Sequence, residues 1–69
     1  MIQNDSLVLD PESTRPFISD KEIRELYGIS PSTLWRWTQN NGFPASIEGM
    51  RGRRSYKEVV EWSQKNNLI

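Results

Sequence analysis

Three arginines crowd into four residues at Arg51, Arg53 and Arg54. A fourth, Arg36, sits in a stretch whose other polar side chains are short hydroxyls and amides: Ser32, Thr33, Gln39 and Asn40. A guanidinium presents its N–H groups as a planar fork, so it grips a phosphate or the acceptor edge of guanine through two parallel hydrogen bonds. Gln and Asn make the same two-point pairing with adenine, and Ser and Thr bond to phosphates or to base edges. The chain has neither His nor Cys. That removes the usual zinc ligands, the commonest general base and the thiolate nucleophile, and 69 residues leave little volume to enclose a pocket. The expectation is a non-enzymatic protein with no cofactor, no metal and no small-molecule substrate.

Charge is placed unevenly. Nine Lys and Arg balance nine Asp and Glu over the whole chain. Residues 1–14, however, hold Asp5, Asp10 and Glu12 and no base, while residues 30–57 hold Arg36, Arg51, Arg53, Arg54 and Lys57 against Glu48 alone. Crowding like charges raises the energy of the fold through self-repulsion, and a bound polyanion relieves it. A local basic surface of this kind suits a small footprint on a nucleic acid. With no cysteines for disulfides and no apolar run long enough for a signal peptide or a membrane span, the cytosol is the expected compartment, on the nucleoid, with no membrane partner.

The elements that must hold these groups are punctuated clearly. Ser19 and Glu22 have the spacing of a capping box, with Ile18 ready to staple onto Ile23. Ile23, Leu26 and Tyr27 make an apolar stripe, and Gly28 takes the left-handed conformation most easily, which predicts a first helix over Asp20–Tyr27. Ser30-Pro31-Ser32-Thr33 opens a second helix at once, with the serine as cap and the proline where its missing N–H has no partner to lose. That helix is expected to reach Asn40 or Asn41, with Gly42 ending it. Leu34 and Trp37 face inward, which turns Ser32, Thr33, Arg36, Gln39 and Asn40 outward. The free amides near Ser32 and Thr33 suit an anion. Ser30 is the cap first and a contact second. Trp35 leans on the neighbouring hairpin or flanks a phosphate with its indole N–H.

After Phe43-Pro44, Ala45-Ser46-Ile47 reads as a short strand, residues 48–52 as a glycine turn and Arg53-Arg54 as the return strand of a hairpin. Its arginines would lie along a backbone or dip into a minor groove. A third helix begins at Ser55-Tyr56-Lys57-Glu58, buries Val59, Val60 and Trp62, and fades near Asn66. Residues 1–16 read as a flexible acidic tail and residues 17–66 as the folded domain. Within the tail, Leu7-Val8-Leu9 would add a strand to the hairpin or dock on a partner. The elements read as mostly α, a small helix-turn-helix with three short helices and one β-hairpin; the winged helix-turn-helix, with that hairpin as its wing, is what the resemblance described next implies.

The run Ile29-Ser30-Pro31-Ser32-Thr33-Leu34-Trp35-Arg36-Trp37, then Gly42-Phe43-Pro44, a basic turn, and Glu58-Val59 to Trp62 resembles the AlpA-type phage regulators and the related excisionases of the lambda kind. The resemblance spans residues 17–64. It implies a winged helix related to the MerR DNA-binding domain, with the second helix in the major groove and the hairpin as a wing. On that basis Ser32, Thr33 and Arg36 are groove contacts, and Arg51, Arg53 and Arg54 are wing contacts. Such proteins carry an aromatic residue closing the wing; here Tyr56 fills that place, which starts the last helix two residues later, or Arg54 has replaced it. The function expected is sequence-specific binding of double-stranded DNA, as a transcriptional regulator or as an excisionase of a phage or genomic island, with an integrase or a second copy as a further partner. The rival is an adaptor or anti-repressor that docks on a protein through Trp35 and residues 7–9.

Overall fold

A computed structural model of the chain describes residues 9–68. In chain order the elements are β1 (Phe17–Ser19), α1 (Asp20–Tyr27), α2 (Pro31–Asn40), β2 (Arg53–Ser55) and α3 (Tyr56–Lys65). Three short helices and one antiparallel strand pair make the mostly helical fold of a small winged helix-like domain.

The punctuation acts as the residues dictate. The Glu22 amide donates to Ser19 Oγ at 3.1 Å and the Ser19 amide to Glu22 Oε1 at 3.1 Å, completing the capping box. Gly28 ends α1 at φ 66°, in the left-handed region where a Cβ is strained. Ser30 caps α2 from extended backbone by accepting from the Thr33 amide at 3.2 Å. Ser55 does the same for α3 through the Glu58 amide at 3.3 Å. Tyr56 is the first residue of α3 and is buried, so the last helix is not delayed.

The strand pairing differs from the hairpin expected between Ala45–Ile47 and Arg53–Arg54. β2 pairs with β1, in the register Phe17↔Ser55, Ile18↔Arg54 and Ser19↔Arg53. Backbone bonds from Tyr56 to Pro16 (3.2 Å) and from Asp20 to Gly52 (2.9 Å) extend the pair at both ends. Ile18 is buried on the core face, whereas in the expected partner Ala45 and Ser46 are exposed and Ile47 is only half-buried. Residues 45–53 instead form a looped wing. Its base is closed by the Ile47 amide on the Arg53 carbonyl at 2.8 Å, and its tip by bonds from Met50 to Ile47 and from Arg53 to Met50.

The core gathers Leu9, Ile18, Ile23, Leu34, Phe43, Tyr56, Val59 and Val60. Against it Tyr27, Trp37, Phe43 and Trp62 pack largely edge to face, the closest centroids being those of Phe43 and Trp62 at 4.8 Å. The Tyr27 hydroxyl bonds to that of Ser63, which is fully buried. Burial pushes the Tyr27 phenol above its ordinary pKa, outweighing the opposing hydrogen bond from Ser63.

The domain also begins earlier than expected. Leu9 is buried, the Asp10 amide donates to the Tyr56 hydroxyl at 2.7 Å, and the Arg15 guanidinium lies 5.1 Å from the Tyr56 ring centre. Arg15 also forks onto Glu22 at 2.9 and 3.1 Å. Leu9, Asp10 and Arg15 thus anchor a segment whose other residues are mostly exposed. Leu9 docks by its side chain and not as a strand; Leu7 and Val8 lie outside the described residues. Among the described residues no helix is long and apolar enough to cross a membrane.

Candidate nucleic-acid interface

Successive residues of a helix are turned by about 100°, so one apolar stripe decides what the other side displays. In α2 the stripe is Leu34, 3% exposed, with Trp37 packed against the aromatic cluster. Ser32, Trp35, Arg36, Gln39 and Asn40 consequently face solvent, with Thr33 half-buried at the margin. Trp35 is 62% exposed.

Spacing of three residues lines up Ser30, Thr33 and Arg36 along one side of this helix. Ser30 Oγ and Thr33 Oγ1 are 3.1 Å apart, and Arg36 Nη2 donates to Thr33 Oγ1 at 3.3 Å. The long, exposed bond tethers the guanidinium without consuming its other donors. No acidic residue occupies the first turn of α2, so the positive end of its dipole is left uncompensated next to Ser32 and Thr33.

The wing adjoins this edge. Trp35 and Gln39 of α2 border one groove with Ser46 and Arg54, and Ser46 also borders the depression formed by Ile47, Glu48, Gly49 and Arg51. Arg51 and Arg53 are exposed, and neither forms an ion pair among the described residues.

Arg54 departs from the sequence expectation. It is not an exposed wing cation but 6% exposed. The alternation of β2 explains this: Arg53 points outward, while Arg54, paired with Ile18, points to the core side. Its Nε donates to Asp20 Oδ1 at 2.8 Å, and its Nη1 to Thr38 Oγ1 at 2.7 Å and to the Pro44 carbonyl at 2.8 Å. The guanidinium carbon also lies 5.6 Å from the Phe43 ring centre. One side chain thus ties together α1, α2, the entrance to the wing and β2. Asp20, Thr38 and Pro44 were not singled out by the sequence reading as partners of Arg54.

The arrangement groups Ser32, Thr33, Trp35, Arg36, Gln39 and Asn40 on one exposed edge, sets Arg51 and Arg53 on the adjoining loop, keeps Ser30 as a cap and removes Arg54 to the interior. Compared with protein-family models, curated proteins and solved structures, the chain matches none of them.

Proposed function

We propose that this chain is a sequence-specific double-stranded DNA-binding protein, with α2 in a major groove and the 45–53 loop on the flanking backbone. The observation that supports this best is the division of α2, whose apolar stripe leaves a guanidinium, two amides and two hydroxyls facing outward. In keeping with its resemblance to AlpA-type regulators and lambda-kind excisionases, the role is control of transcription or of recombination direction in a phage or genomic island, on the nucleoid. Both roles use the same surface. An excisionase must in addition bend DNA and contact an integrase or a second copy, so footprints at an attachment site and at a promoter separate the two. Self-association on DNA belongs to the proposal because one module of this size buries only about 600–1,000 Å² there.

The test is to select genomic fragments with the native protein and to compare its binding with that of Arg36→Ala. The variant is expected to lose about 1–3 kcal/mol of discrimination while keeping salt-sensitive binding. Unchanged selectivity would remove Arg36 from the site. With Arg36 turned to the bases and Arg54 held by internal acceptors, the exposed loop arginines Arg51 and Arg53 are expected to contribute about −2 to the log–log salt slope.

The exposure of Trp35 favours a second reading, an adaptor or anti-repressor that docks on a protein through this ring. The same salt titration discriminates, because an aromatic interface responds little to salt.

A further inference from the structure

The groove between α1, α2 and the base of the wing holds donors that no described residue consumes. Arg54 spends Nε and Nη1 on Asp20, Thr38 and Pro44, but its Nη2 has no acceptor among the described residues. At 6% exposure those N–H groups can be met only from the groove, and an anion there makes a charge-assisted hydrogen bond, stronger than the one a water molecule makes. Arg54 lines this groove together with Arg24, Trp35 and Gln39, and the open space there amounts to about 440 Å³. Arg24 makes no ion pair among the described residues. Asp20 is the sole acid in the lining, and one of its oxygens already accepts from Arg54 Nε. The lining therefore carries one net positive charge.

We propose that this groove seats a single backbone phosphate of the duplex, whose oxygens accept from Arg54 Nη2 and from the Arg24 guanidinium. The inference rests on the DNA-binding reading: with α2 in a major groove and the loop on the flanking backbone, a phosphodiester strand runs through the gap between them. A diester carries one negative charge and so neutralises the lining. Arg51 and Arg53 must order flexible side chains to reach a phosphate, whereas the fork of Arg54 is already fixed by its three acceptors, so little rotamer freedom is lost on contact.

The experiment takes a duplex selected by the native protein and remakes it with one neutral methylphosphonate linkage at a time. Native protein and Arg24→Gln are titrated against each, and a denaturant midpoint checks that the variant is folded. One linkage is expected to cost the native protein about tenfold in affinity and the variant about twofold or less, the non-additivity of groups in direct contact. In parallel, the ¹⁵N-resolved Nε–H signal of Arg54 is expected to move when the unmodified duplex is added, and to move less with that one modified duplex. Equal costs for both proteins at every linkage, with the Arg54 signal unmoved, overturn the phosphate seat while leaving DNA binding intact. A signal that moves with inorganic phosphate but not with the duplex assigns the groove to a free anion and overturns it too. If no duplex binds at all, the DNA-binding reading fails and takes this inference with it.

Discussion

Arg53 and Arg54 are identical side chains on adjacent residues, yet the pleat of β2 sends one to solvent and the other beneath the wing. Replacing Arg53 is expected to change binding alone, and replacing Arg54 to change folding as well. Arg54→Met leaves Asp20 without its partner and Thr38 and Pro44 without their donor, and is expected to cost about 2–3 kcal/mol of folding free energy, somewhat less than a fully buried pair because Asp20 is partly solvated. Arg53→Ala is expected to stay within about 0.5 kcal/mol of native in urea denaturation and to weaken DNA binding instead. The sequence displayed a cluster of positive charge but not its split. With Ala45–Ile47 as the partner strand, neither face of β2 has a core to meet, so the alternation alone carries no information about which arginine is inside.

At the level of elements, the helices were legible because each boundary is a local event: a serine one residue ahead of the first turn, a glycine or asparagine after the last. Gly28→Ala places a Cβ at φ 66° and is expected to cost about 1 kcal/mol, read from the thermal midpoint. The α1 capping box also predicts a pH effect. Hydrogen bonds from Arg15, then from the Ser19 amide, hold the Glu22 carboxyl below its ordinary pKa, outweighing the opposing effect of its slight burial. Its stabilising contribution is therefore complete above the unfolded-state value and is lost as pH falls through the lower, folded-state one. Glu22→Gln is expected to be less stable than native at neutral pH, and the two should converge on acidification below the usual carboxylate range. Strand pairing was not legible in the same way. β1 and β2 are three residues each and lie far apart in sequence, so the choice of partner belongs to the assembled core and not to any local pattern.

On the scale of the whole molecule, residues 9–16 have the composition of a tail, polar and acidic, yet a single apolar anchor, Leu9, joins them to the core. A short domain buries a small share of its surface, so one leucine matters more here than in a large protein. Leu9→Ala is expected to cost about 2 kcal/mol, and a chain beginning at Phe17 more than that, both measurable as a lowered urea midpoint. The guanidinium lodged under the wing has a consequence on this scale as well. Anchored at once to α1, α2 and the entrance of the loop, it sets the opening between helix and wing like the jaw of a caliper. On the proposed DNA-binding reading, a protein built this way would gauge the width of the duplex instead of moulding itself to it. Its preferred sites should then share a base composition at positions no side chain touches, where stiffness and groove width are the only properties left to measure.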